Sequence, residues 1–383
     1  MEIAIVIVAY NRADTVARLL ESLKYAHYSQ EVPLIISIDK SNTNEVEKLA
    51  DAYEWIHGPK VVVKHENNLG LRKHVLSIGE YTKKFDAIVV LEDDLIVSPC
   101  FYDYALQTVS KYYKCPEIAG ISLFNFPFNN YLSLPFYPAK DEYDVFLMQI
   151  AQSWGQIWMK EQWGEFIKWY ENNNEEFGIL AHLPSNICRW GAKSWLKYHN
   201  KYCIENNKYF VYPYTSLTSN SGAAGTHSTV ATNIHQTILQ AGKKYRYFLP
   251  EVNVATKYDG FYENLTVEAC LKLGDRVCVD LYGLKKNALN SRYWLTTERA
   301  DFKILNTYGL DYYPIEENVL RETKGESIFL YDTWSPNKNP YRDNSFDIIS
   351  YHFKIRSIYT TLKRTGFVKF LCKTLKVLLQ RIV

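Results

Sequence analysis

Three consecutive acids, Glu92-Asp93-Asp94, follow the apolar run at residues 87–91. Like charges set side by side are costly unless a cation compensates them. A divalent ion such as Mn2+ or Mg2+ fits that need, because it takes hard oxygen ligands and only one or two carboxylates, leaving places for phosphate oxygens and water. Such an ion stabilises the charge that grows on a departing diphosphate. Acids also favour the first turn of a helix. Here, however, Leu95-Ile96-Val97 continues apolar up to Ser98-Pro99, so the triplet interrupts an extended segment.

An acidic triplet can only act if the chain holds it at an accessible edge. Residues 3–8, Leu34–Ile38, 61–63 and 87–91 are short apolar runs of the kind buried on both faces of a parallel sheet. Between them Val16, Leu19, Leu20 and Leu23, then residues 46–55, then residues 71–81 repeat at helical spacing. This alternation predicts an α/β fold with helices on both faces of a mostly parallel sheet, and a ligand crevice at the carboxyl ends of the strands. Asn11 and Arg12, Asp39, residues 67–73 and the triplet each follow a strand and so share that edge. Further helices are expected at 101–113 and 195–204, with a strand at 120–124. Residues 215–228 form a loop of small residues that can close over a ligand. It carries His227, which would complete a metal shell, touch phosphate, or simply sit at the surface.

The chain has 383 residues, more than one typical domain. The expected division is a catalytic unit over 1–240, an accessory region over 241–352 and a terminal helix over 353–383. No window approaches the roughly 18 apolar residues of a membrane span, and the first residues lack the basic and small-residue features of a secretory signal. Seven scattered cysteines show neither zinc-site spacing nor a disulfide framework, which fits a reducing cytoplasm. The net charge is +2, but eight Lys and Arg and no acid lie from Lys354 onward, so the basic excess belongs to the tail and a nucleic-acid partner is not expected. There Phe367, Phe370, Leu371, Leu375, Leu378 and Ile382 share one face, with Lys369, Lys373, Lys376 and Gln380 opposite. That pattern is expected to lie on an anionic membrane surface, at the inner face of the cell membrane, or else to pack on the protein's own body.

Val8-Ala9-Tyr10-Asn11-Arg12, Ser37-Ile38-Asp39 and Leu91-Glu92-Asp93-Asp94-Leu95 with Val97-Ser98-Pro99 together resemble a GT-A fold glycosyltransferase similar to family 2. The acidic motif is especially similar to that of the N-acetylglucosaminyltransferase I group. Asn68-Leu69-Gly70-Leu71-Arg72-Lys73, Trp154-Gly155, Ser194-Trp195 and the Gly222 to His227 segment resemble bacterial enzymes of surface-polysaccharide assembly. The likeness covers residues 1–230. It implies that Tyr10, Arg12 and Asp39 contact the nucleotide, that Asp94 ligates the metal, and that Asp93 supports sugar or metal. Arg72 and Lys73 would face base or phosphate, unless they are a solvated helix start.

Inverting transfer needs a carboxylate to take the acceptor hydroxyl's proton. In the N-acetylglucosaminyltransferase I group it follows a Trp in a Trp-Asp-Asp-Trp motif, whereas Ser194-Trp195-Leu196-Lys197-Tyr198 contains no acid. Glu161 and Glu165 are the substitutes nearest in sequence, one helical turn apart, and also read as an exposed face. Trp154 and Trp158 would form an acceptor platform or pack in the core. The resemblance implies metal-dependent transfer from a nucleotide diphosphate sugar, UDP-linked, to a saccharide or lipid-linked acceptor in surface glycan synthesis. The missing acid keeps open a base elsewhere, another stereochemistry, or a module that binds without transfer. A sugar nucleotidyltransferase is disfavoured, since no Gly-rich basic loop follows the first strand.

Overall fold

The computed structural model describes residues 1–222, 236–274, 277–340 and 345–379. The apolar runs become strands, buried on both sides except for the half-exposed edge run at 61–63. Strand β1 (Ile3–Ala9) sends Ile3, Ile5, Ile7 and Ala9 into one core cluster, and Ala4, Val6 and Val8 into another. It lies between β2 (Leu34–Ile38) and β4 (Ala87–Glu92), with β3 (Lys60–Lys64) at the edge, all parallel. Helix α1 (Ala13–Lys24) buries Val16, Leu19, Leu20 and Leu23, the stripe its spacing predicts. Helix α2 spans Glu45–Ala52.

Helix α3 covers Gly70–Ile78 and tightens into a single-turn 3-10 segment at Gly79–Lys83, so the expected helix over 71–81 is split. The split falls where the indole of Trp163 fills the space a β-carbon on Gly79 would need.

Among the described residues nine strands form the large sheet, and beyond β4 its direction changes. The strand Gln156–Met159 runs antiparallel to β4, with Met159 opposite Ala87 and Gln156 opposite Val90. Beside it lie β6 (Ile118–Ser122), then Tyr209–Pro213, Val145–Met148 and Lys257–Tyr258. The sheet therefore reaches past residue 240, where the sequence suggests a boundary. This is the expected α/β architecture of the GT-A type: a parallel half that aligns strand ends, completed by a half of mixed direction.

After β4 the chain turns at Asp93-Asp94 into the short β5 (Leu95–Val97), which pairs antiparallel with Thr218–Asn220. Helices α4 (Phe101–Tyr112) and α5 (Lys160–Glu171) follow. A second, four-stranded sheet is built from Val277–Asp280, Tyr293–Thr296, Ile328–Pro336 and Phe302–Tyr308, over its own apolar cluster. The chain ends in helices Ser345–His352, Ile355–Thr365 and Phe367–Leu379. No described helix is long and apolar enough to cross a membrane. All seven cysteines are free thiols.

Candidate functional site

The β1–β4 register sets Val8 beside Glu92, so the chain leaving β1 through Tyr10 and Arg12 emerges next to Asp93-Asp94. The Tyr10 backbone N–H donates to Asp93. The Arg12 guanidinium donates to Asp93 Oδ1 and, at 3.2 Å, to Asp94 Oδ2. Burial pushes the Asp93 carboxyl up to about 6 against the opposing pull of Arg12. Burial alone would lower the Arg12 guanidinium, yet Asp93 and Asp94 more than offset it and leave it raised. The Glu92 carboxyl is pushed well up, by burial first and then by the charges of Asp94 and Asp93, while the Ser153 hydroxyl donates to it.

Three acids thus share one cation, which satisfies them incompletely. Asp94 Oδ1 is buried without a hydrogen-bond partner. Next to it Ser221 donates its backbone N–H to the Asp94 carbonyl at 2.8 Å, and its own Oγ is also buried and unpartnered. Buried polar atoms are normally paired, so two orphaned oxygens on adjoining segments fit an oxygen-seeking ligand. Among the described residues no three His, Cys, Asp or Glu side chains converge into a preformed metal cage. The donor set suits an ion of the Mn2+ or Mg2+ kind, which keeps most of its coordination for phosphate and water.

Asp39 reaches the same edge but is already engaged. Its Oδ1 accepts the N–H groups of Lys40 at 2.9 Å and Leu69 at 2.8 Å, and its Oδ2 accepts Gly70 N–H at 3.0 Å. The carboxylate caps the start of α3, with about one acceptor position left for a ligand.

The profile of glycosyl transferase family 2 matches residues 4–197 of the chain, half its length. The protein belongs to glycosyl transferase family 2. No curated protein sequence matches it. Among solved structures, Staphylococcus aureus TarS 1–349 in complex with UDP-GlcNAc is 12% identical over 59% of this chain and 60% of that one, with a TM-score of 0.40. GalNAc-T7 with UDP, GalNAc and Mn2+ is 15% identical over 57% of this chain and 43% of that one, with a TM-score of 0.40. The Pyrobaculum calidifontis mannosyltransferase PcManGT, with GDP-Man and Mn2+, is 12% identical over 56% and 57%, with a TM-score of 0.34. The chain thus spans about 60% of the length of the TarS 1–349 structures.

The other residues that family 2 resemblance singles out are more dispersed. Arg72 donates to the Tyr170 hydroxyl at 2.7 Å and to the carbonyls of Ala192 at 3.2 Å and Asn174 at 3.0 Å, with its guanidinium 4.3 Å over the Tyr198 ring. Three of its five N–H donors thus fasten α5 and the segment after it, which gives Arg72 a structural task beside the expected base or phosphate contact. Lys73 beside it is exposed. Trp158 is fully buried and stacks on Trp163 at 3.8 Å, so it is a core residue and not an acceptor platform. Trp154 is half-buried at the carboxyl edge, packed on Phe124, and its carbonyl accepts the Thr218 hydroxyl at 2.5 Å.

Glu161 and Glu165 lie at the wrong end of the sheet. Because Gln156–Met159 descends antiparallel to β4, α5 starts at the amino edge, where Lys160 N–H donates to the Asp86 carbonyl. The length of β4, about 20 Å, separates that edge from the triplet. Glu165 is paired there with Lys208 at 2.8 Å. His227 falls outside the described residues.

Sequence reasoning missed Ser153, Gln152 and Asn200, and held Ser221 only as part of the loop expected over 215–228. Gln152 Nε2 donates to Ser122 Oγ at 2.7 Å and to the Gly155 carbonyl at 2.8 Å, while Asn200 exchanges hydrogen bonds with the backbone of Ala151 at 3.1 and 3.0 Å. Gly155 turns there with φ of +97°, a left-handed conformation, and a β-carbon on it would stand 2.8 Å from the Thr218 side chain. The available signal is the polar run Gln152-Ser153 ahead of Trp154-Gly155, set between two buried strands.

Proposed function

We propose that this family 2 protein transfers a sugar from a nucleoside diphosphate sugar, UDP-linked, to a saccharide or lipid-linked acceptor, with inversion, in surface glycan synthesis. The observation that carries this reading is the orphaned Asp94 Oδ1 within the Arg12–Asp93–Asp94 group, at the carboxyl edge of the sheet. Asp94 is the residue to hold Mn2+ or Mg2+, whose contribution when bound is to stabilise charge on the leaving diphosphate. Arg12 offers a planar fork to the phosphates. Tyr10, 39% exposed, and the remaining acceptor position of Asp39 face the nucleotide, Lys73 the phosphate side, and Asp93 the sugar or metal. Trp154 stands on the acceptor side. The acceptor proton passes to a base other than Glu161 or Glu165, which sit at the far edge. The basic apolar tail holds the protein peripherally at the inner face of the cell membrane, near a lipid-linked acceptor.

Sugar release from a panel of nucleotide sugars with Mn2+, read by mass spectrometry, tests the proposal. Asp94→Ala is expected to lower turnover by 100-fold or more, roughly the loss of one electrostatic group aimed at developing charge. Unchanged turnover in that variant would remove the metal role. A second reading, a module that binds nucleotide sugars without transferring them, is favoured by the lack of an acid after Trp195. Calorimetric binding of the donor with no turnover on any acceptor would establish it instead.

A further inference from the structure

Arg12 meets both acids through one atom, Nη2, and the donor proposed above would compete with them for its guanidinium. Its guanidinium lies on Asp93 and 3.2 Å from Asp94 Oδ2, the carboxylates that face the metal position, yet its side chain is 25% exposed and open to a ligand in the crevice. The backbone beneath it is fixed, because the Arg12 carbonyl accepts Val16 N–H at 3.1 Å and the Thr15 hydroxyl at 2.9 Å. Only the long side chain is free to move. A divalent ion arriving at Asp94 while Arg12 stays in place would set two cations against one carboxylate. A diphosphate offers the guanidinium stronger, bidentate hydrogen bonding than the shared contact it makes with the two acids.

We infer that Arg12 is an exchangeable counter-ion: it neutralises Asp93 and Asp94 in the donor-free protein, then swings to the donor's diphosphate and yields Asp94 to the divalent cation. The inference rests on the donor-and-metal reading above and makes Arg12 a positioning residue for the metal as well as a donor contact. Metal and donor then assist each other beyond their direct contact, because the donor draws off the cation that competes with the metal. By linkage the assistance is equal in both directions.

The test is Mn2+ affinity of the full chain, read by electron paramagnetic resonance, without nucleotide and with saturating UDP. Arg12→Ala is expected to bind Mn2+ about tenfold more tightly without UDP, within the roughly 5–150-fold range of such couplings, and the gain produced by UDP should shrink correspondingly. Arg12→Gln, which keeps a hydrogen-bonding side chain without the charge, should shift affinity in the same direction and covers the case in which the alanine variant does not fold. An arginine that merely organised the turn would give the opposite sign, weaker metal binding on removal. The inference is overturned if both variants bind Mn2+ no more tightly than the parent while UDP still promotes binding. If the parent binds no Mn2+ with or without UDP, or if Asp94→Ala binds it equally well, the metal reading fails and takes the inference with it.

Discussion

Arg12 and Arg72 are chemically identical and follow strands that end at one sheet edge, but the fold gives them different neighbours. Arg12 meets carboxylates and is part-exposed; Arg72 meets a hydroxyl, two carbonyls and a ring. Their substitutions should therefore separate two kinds of loss. Arg72→Ala removes several hydrogen bonds to a charged donor and should cost about 2 kcal/mol of unfolding free energy. Once folded, it should leave donor KM within about threefold of the parent. Arg12→Ala should raise donor KM far more for a smaller change in melting. Denaturant unfolding beside steady-state kinetics measures both, and a large KM effect with unchanged stability for Arg72→Ala would restore it to the donor site. Sequence spacing could not distinguish these arginines, because the residues that capture Arg72 lie about 100 positions downstream.

At the scale of elements, the packing of α3 on the sheet makes a pH-dependent prediction. Ser37 Oγ lies 2.8 Å from His74 Nε2 and 3.2 Å from His65 Nε2, and burial lowers the His74 imidazole to about 4. A histidine held neutral in the fold binds its proton more readily when unfolded, so its stability contribution is present at neutral pH. It is lost as pH falls from the ordinary value of about 6.5 through about 4. The parent should lose about 3 kcal/mol relative to His74→Gln between pH 7 and pH 4, as the depressed value implies. Urea midpoints at both pH values check this, and parallel losses would deny the histidine that role.

Strands β1, β2 and β4 were legible because each is a continuous apolar run that both faces of the sheet bury, and β3, a half-exposed edge strand, was legible from its short valine run alone. The acids at their ends were legible for the same reason. Glu161 and Trp158 were misleading because nothing in a local pattern states that Gln156–Met159 pairs antiparallel to β4, which turns the following helix to the other edge. The staples formed by Gln152, Asn200 and Ser221 were illegible because each is defined by a partner far away in the chain.

Over the whole molecule, apolar and basic residues are divided unevenly. In the last two helices Ile358, Tyr359, Phe367, Val368, Leu371 and Leu375 are exposed, on a tail without acids. An expectation that they pack on the protein's own body is not met by these described side chains, and a bilayer surface is the proposed partner. Vesicles containing anionic phospholipid should carry the protein upward in flotation, neutral vesicles should not, and high salt should release it. Reversing Lys363 and Lys369 to Glu should weaken binding by tenfold or more, since each basic residue near such a surface contributes about 1 kcal/mol. Equal flotation with neutral vesicles would deny the charge its part.

The hydrogen bond from Ser221 to the carbonyl of Asp94 joins residues more than 120 positions apart, and residues 10–12 and 153 close the same turn. Only a fragment reaching from Tyr10 to Ser221 can contain that arrangement. Closing such long loops is the slow part of folding, so the metal position should come into being with the global transition and not before it. Mn2+ relaxation during refolding would then serve as a spectroscopic clock for completion of the fold.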